Sequence, residues 1–273
     1  MNKIKRLLWN KGSSIAYAII TAIFTLVPEG VFKFGIVDCT WPEGICILIN
    51  RLIVCILVFS LANIAYRCHR KHRKEVAISG KTFSIKIEFN DLFKVKCGKK
   101  VINFDECFTT KVGEKPEDIK PDSLCGQYLM KYPINNMQEL IDATGLRPIG
   151  ASLYKNRPKY AQGTLIPRDD FLLMAFAELD EKGRGTITYD KYLECLNRLW
   201  EQIDLYHGTD DVYLPILGSR ITRFDKELTQ QELLDIMITS YRLSPKKLKR
   251  PSVLHIVCKE REGFSLNNVY GLD

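Results

Sequence analysis

Phe83, Ile85, Ile87 and Phe89 alternate with Ser84, Lys86 and Glu88, a period of two that predicts a strand with one buried face. Val101 and Ile102 predict a short second strand. The unbroken apolar runs Phe171–Leu179, Val212–Leu217 and Val253–Cys258 predict strands covered on both faces. Between them the period lengthens, and Met137–Ala143, Asp190–Tyr206 and Gln230–Leu243 read as helices. In the second of these, Leu193, Leu196, Trp200 and Ile203 form one apolar stripe. The third opens on Thr229-Gln-Gln-Glu232, a capping box in which two side chains satisfy each other's orphan backbone amides. Strands alternating with helices predict an α/β sandwich, whose ligands gather at the C-terminal ends of its strands.

The first quarter follows another pattern. Ile45–Tyr66 is almost continuously apolar over about 22 residues, which as a helix rises roughly 33 Å and matches a bilayer's hydrocarbon core. Ser13–Val27 is apolar but shorter, and Val31 to Val37 extend it to a second spanning segment, kinked or ended at Pro28. No small-x-small cleavage site follows Val27, so this segment is read as retained rather than as a signal peptide. Arg51 lies inside the second segment. It either snorkels to the headgroups or faces other helices in an assembly.

Charge sharpens this division. Of 40 Lys and Arg and 32 Asp and Glu, residues 1–74 hold eleven basic and three acidic ones, so the remaining 199 residues carry 29 of each and are neutral. That neutrality excludes a non-specific nucleic-acid binder, which needs excess cation. Lys3, Lys5, Arg6 and Lys11 precede the first segment, and Arg67, Arg70, Lys71, Arg73 and Lys74 follow the second. The loop between has Lys33 alone against three acids, which places both termini in the cytoplasm. The basic run Arg67–Lys74 suits anionic lipid headgroups. His69 and His72 have no carboxylate or thiolate pattern beside them to make a metal site. The expected organisation is a membrane anchor over 1–74, with helices at about 13–34 and 45–66, and a cytoplasmic domain over 75–273.

Nine cysteines contain no Cys-x-x-Cys pair, so neither a disulfide framework nor a zinc knuckle is expected, and most are read as reduced small hydrophobes. Asp180–Lys191 imitates a calcium loop, yet Lys182, Arg184 and Lys191 stand where oxygen ligands are required. It is therefore read as a tight glycine turn before a helix. Leu214–Arg223 combines Gly218, the hydroxyls of Ser219 and Thr222, and the cations Arg220 and Arg223 after a strand, the ingredients of a phosphate cradle.

Taken together, VINFDECFTT (Val101–Thr110), SLCGQYL (Ser123–Leu129), GTLI (Gly163–Ile166), the FLLMAFAELD and YLECLNRLWEQID runs and LPILGSRITRF (Leu214–Phe224) resemble a divergent macro domain, the fold that binds ADP-ribose. With the preceding apolar segments the chain is similar to the transmembrane macro effectors of type II Thoeris anti-phage defence. The resemblance implies a macro-like three-layer sandwich with a mixed sheet. It implies that Asp91 holds adenine and that Asn103, Asp105 and Glu106 lie along the distal ribose. Ser123, Gly126 and Gln127 would start a helix beside the diphosphate, and Gly218, Ser219, Arg220, Ile221 and Thr222 would wrap it. Glu106 replaces an Asn of the family pattern and Arg220 a Gly, departures that fit a ligand whose ribose bears an additional group.

The function so implied is a sensor and effector in the bacterial inner membrane, not an enzyme. An ADP-ribose derivative, an amino-acid conjugate such as histidine-ADP-ribose among the candidates, would be made by a TIR-domain NAD-consuming partner. Its binding would drive homo-oligomerisation, membrane disruption and abortive infection. No metal, catalytic residue or other cofactor is expected. The alternative is a membrane-anchored ADP-ribosyl hydrolase, for which Glu106 and Asp105 are the candidate bases.

Overall fold

The computed structural model describes residues 11–34, 42–71, 73–219, 222–259 and 263–269, in two units divided after Arg73. The first unit contains α1 (Lys11–Leu26), a 3-10 turn (Glu29–Phe34) and α2 (Glu43–Lys71). Only Gly44–Tyr66, with mean hydropathy 2.6, is long and apolar enough to cross a membrane among the described residues. The second spanning helix expected from the sequence is not among the helices of that length. With 16 residues α1 rises about 24 Å, short of the roughly 30 Å hydrocarbon core, because Pro28 cannot continue it.

The turn after α1 folds back on α2. Arg51 Nη1 meets Glu29 Oε1 at 2.9 Å, and its guanidinium lies over the rings of Phe24 and Phe32, 5.5 and 5.2 Å from their centroids. Asn50 Nδ2 donates to the Phe32 carbonyl at 3.1 Å. The Arg51 cation is thus engaged within its own hairpin. Cys46 is disulfide-bonded, whereas Cys55, Cys68, Cys97, Cys107, Cys125, Cys195 and Cys258 are free thiols.

The second unit is built on β1 (Glu75–Ser79), β2 (Ser84–Phe89), β3 (Lys99–Asp105), β6 (Leu165–Arg168), β7 (Phe171–Leu179), β8 (Gly185–Ile187), β9 (Val212–Pro215), β10 (Arg223–Phe224) and β11 (Leu254–Cys258). They form one nine-stranded mixed sheet in the order β1-β2-β11-β9-β3-β7-β8-β10, with β6 also paired to β7. β2, β11, β9, β3 and β7 run parallel, β1 pairs antiparallel with β2, β6 and β8 pair antiparallel with β7, and β10 runs parallel to β8. A separate hairpin joins β4 (Gly150–Ala151) to β5 (Pro158–Lys159).

The uninterrupted apolar run of β7 has its cause in the layers. Leu172, Met174 and Phe176 point to one core with Leu196, Leu199, Trp200 and Ile203 of α5 (Tyr189–Tyr206) and Leu234, Met237 and Ile238 of α6 (Gln230–Leu243). Phe171, Leu173 and Ala175 point to a second core with Tyr128 and Leu129 of α3 (Leu124–Lys131) and Ile141 of α4 (Met137–Ala143). Helices thus cover both faces, as the sequence predicts for a three-layer sandwich. On α5 the buried stripe is Tyr192, Cys195, Leu196, Leu199, Trp200 and Ile203, and Leu193 is only half-buried at its edge.

The Asp180–Lys191 stretch is a hairpin turn. Asp180 Oδ1 accepts from the amides of Lys182 and Arg184 at 2.9 and 2.8 Å, Gly183 takes φ +76°, and β8 leads into α5.

Candidate functional site

Five parallel strands end at the same edge of the sheet, and a cavity of about 420 Å³ opens there. Its walls come from Asn90 and Asp91 after β2, Asn103 to Asp105 in β3, Leu179 of β7, Pro215, Ile216, Gly218 and Ser219 at the end of β9, and Cys258 and Lys259 at the end of β11. Strand termini collect ligands because backbone polar groups and loop side chains converge where pairing stops.

Asp91, Asn103, Asp105, Ser123, Gln127, Gly218, Ser219 and Thr222 all line this cavity. Asp91 caps the 3-10 turn Leu92–Lys94, its Oδ1 accepting from the Phe93 amide at 3.0 Å. Its second oxygen makes no protein hydrogen bond among the described residues, and the residue lines the cavity. Asp105 is largely committed to its own turn: Oδ1 accepts from the amides of Cys107 and Thr109 at 2.8 and 3.2 Å, and Oδ2 accepts from the Thr109 hydroxyl. Burial pushes its carboxyl above the ordinary range, against the lowering effect of Thr109 and Cys107.

Ser123 caps α3, accepting from the Gly126 amide at 2.9 Å and donating to the Lys120 carbonyl at 2.6 Å. Gln127 Nε2 donates to the Asp122 carbonyl at 2.8 Å. Gly126 is not among the cavity residues. A Cβ there would fall 2.2 Å from the Lys120 carbonyl oxygen, so its glycine seats the preceding loop on α3. Gly218 takes φ +78°, and a Cβ would fall 2.4 Å from the Phe224 ring. Arg220 and Ile221 lie outside the described residues.

Glu106 needs the largest correction. Its buried carboxylate is absent from the cavity lining and its Oε1 accepts from the Ser152 hydroxyl at 2.7 Å and the Leu179 amide at 3.2 Å. A residue expected along the ribose instead joins three strand ends, a role its bare sequence position does not reveal.

The cavity also recruits side chains that sequence reasoning passed over. These are Lys120, Arg184 and Lys259; with Arg223 of the expected phosphate cradle they line it beside Asp91, Asp105, Glu117 and Asp118, so cations and carboxylates are balanced. Arg184 belongs to the turn read as a false calcium loop; its Nε and Nη2 both meet Asp180 Oδ2 at 2.7 Å. Lys120 Nζ donates to the carbonyls of Glu114 and Lys115 at 2.6 and 2.8 Å. The Lys111 ammonium, 2.9 Å from Asp118 Oδ1, holds the Asp118 carboxyl below the ordinary range. Burial drives the cavity thiol of Cys125 well above the usual value and lifts that of Cys258 to about 12, so both are protonated at neutral pH. Among the described residues no His, Cys, Asp or Glu group is arranged to hold a metal.

The family described as the macro domain of Thoeris protein ThsA matches residues 85–259. Thoeris protein ThsA of Bacillus amyloliquefaciens (strain Y2) is 29% identical over 198 residues, covering 67% of this chain and 65% of that protein. This chain therefore spans just under two thirds of that relative's length. A mutant Oceanobacillus iheyensis macrodomain aligns over 69% of this chain and 91% of its own at 9% identity, with a TM-score of 0.46. A macrodomain of the same organism solved with ADP aligns over 68% and 89% at 12% identity, with a TM-score of 0.38.

Proposed function

The chain belongs to the Thoeris ThsA macro-domain family, and on that premise we propose that it is a membrane-tethered sensor of an ADP-ribose-derived messenger in bacterial anti-phage defence. The observation that carries the reading is the cavity of about 420 Å³ at the strand ends, lined by the Asp91 carboxylate, the Gly218–Ser219 turn and several cations. Those groups suit a ligand with hydrogen-bond donors at one end and a diphosphate between.

The messenger comes from a TIR-domain NAD-consuming partner, and its binding drives homo-oligomerisation and membrane disruption. For this the messenger must bind the active arrangement better than the resting one, since equal affinity shifts no equilibrium. Gly44–Tyr66 tethers the protein, with the basic run Arg67–Lys74 on the cytoplasmic side. A cytoplasmic N-terminus additionally requires α1 to cross. Labelling of a cysteine introduced at Lys3 in sealed cells would exclude that crossing.

Sensing is favoured over hydrolysis because the Glu106 carboxylate is committed to Ser152 and Leu179. The deciding experiment is calorimetry on the purified full-length protein with ADP-ribose, ribose-substituted conjugates and intact NAD, beside Asp91→Ala. Tight binding of a conjugate but not NAD, weakened in the variant and accompanied by a change of assembly in detergent, is expected. Binding without any change of assembly would sink the effector mechanism, and release of product from ADP-ribosylated protein would favour the hydrolase.

A further inference from the structure

The cavity wall contains a polar group that the protein itself leaves unmatched. Gln230, the first residue of α6, lines the cavity, and its Oε1 is enclosed without a hydrogen-bond partner among the described residues. Buried polar atoms are nearly always paired, because an unpaired one forfeits its hydration with nothing in return.

The backbone here has no need of this side chain. Thr229 and Glu232 close the capping box, with the Thr229 amide donating to Glu232 Oε2 at 2.8 Å and the Glu232 amide to Thr229 Oγ1 at 3.2 Å. The orphan amide is therefore held on a rigid helix start, beside a wall that also carries Thr222, Arg223 and Lys259. A group placed in this way is open to a partner that enters the cavity.

We infer that Gln230 is a specificity-determining residue of this cavity, its side-chain amide hydrogen-bonding a hydroxyl or amino group of a phosphate-bearing nucleotide ligand. The inference rests on the nucleotide reading above. A site that leaves a buried amide unpaired discriminates against analogues lacking the matching group. Gln231 supplies a control within the same turn, since both its amide atoms are enclosed without partners yet it does not line the cavity.

The test is calorimetry of the full-length protein in detergent with ADP-ribose and a ribose-substituted conjugate, together with ligand-free melting. Gln230→Leu is expected to weaken binding about tenfold or more while the ligand-free melting temperature holds or rises, because an orphan group has been removed. Gln230→Met, closer in shape, should behave alike, and Gln231→Leu should leave affinity within about twofold. Affinity within about twofold of the unaltered protein in both Gln230 variants overturns the inference and leaves the nucleotide reading standing. So does a fall in melting temperature that accompanies the affinity loss in both variants, the mark of a structural role. No binding of either probe by the unaltered protein overturns the nucleotide reading, and this inference with it.

Discussion

The Ser152 hydroxyl donates to Glu106 Oε1 at 2.7 Å, joining residues 46 positions apart. The same oxygen accepts from the Leu179 amide, and the Glu106 carbonyl accepts from the Tyr160 amide at 2.8 Å. One glutamate thus ties the ends of β3 and β7 to the β4–β5 hairpin. Ser152→Ala leaves a buried carboxylate short of a partner and is expected to reduce unfolding stability by about 1–3 kcal/mol. Ligand affinity should barely change. Denaturant melts beside calorimetry check this, and an affinity loss at unchanged stability would mean that Glu106 faces the ligand after all.

Asp91 divides its carboxylate between a cap and the cavity, so two substitutions separate the roles. Asp91→Ala removes both and is expected to cost about 0.5–2 kcal/mol of stability along with affinity. Asp91→Ser keeps a capping oxygen and should hold most of the stability while still losing about tenfold in binding. Affinity retained in Asp91→Ser would count against a direct ligand contact.

The Lys111–Asp118 pair at the cavity rim makes stability depend on acid. The folded Asp118 pKa is depressed and the folded Lys111 pKa raised, each chiefly by the hydrogen bond to the other. The unfolded chain therefore binds the carboxyl proton more readily. The contribution is present above the ordinary carboxylate range and disappears as pH falls through the depressed Asp118 value. At the alkaline end it is lost as pH rises through the raised Lys111 value. Lys111→Met should abolish the difference between melts at neutral and acidic pH that this pair supplies. An unchanged pH profile in that variant would show that the pair contributes nothing.

Thiol reactivity should follow burial. Cys97 is exposed, whereas Cys125, Cys195 and Cys258 are buried and Cys195 and Cys258 are lifted to about 12. Iodoacetamide at mildly alkaline pH is expected to label Cys97 rapidly and the three buried thiols only after denaturation. Mass spectrometry of timed samples reads this directly, and prompt labelling of Cys258 would show that the floor of the cavity opens.

Elements whose signal is local were readable along the chain. β7 runs Phe171–Leu179, α4 Met137–Ala143 and α6 Gln230–Leu243 as the periodicities predict, and the Thr229–Glu232 capping box closes as its spacing requires. These depend on neighbours a few residues away. By contrast, β1 extends the sheet over residues to which the sequence pattern assigns no strand, and α1 stops too early for the span assigned to it. An edge strand of five residues carries little periodicity of its own, and it forms because β2 offers it a partner.

The candidate site divides along the same line. The sequence by itself determined that an α/β sandwich would form and that a Gly218 turn would follow one of its strands, because strand periodicity and turn chemistry are encoded in order and spacing; Asp91 was pointed to by the family resemblance alone. Only the tertiary structure decided that Glu106 leaves the cavity for Ser152 and Leu179, and that Arg184 and Gln230 enter its wall. Those outcomes depend on contacts between residues tens of positions apart, and a side chain's partner at that range is set by how sheets and helices pack, not by the residues beside it.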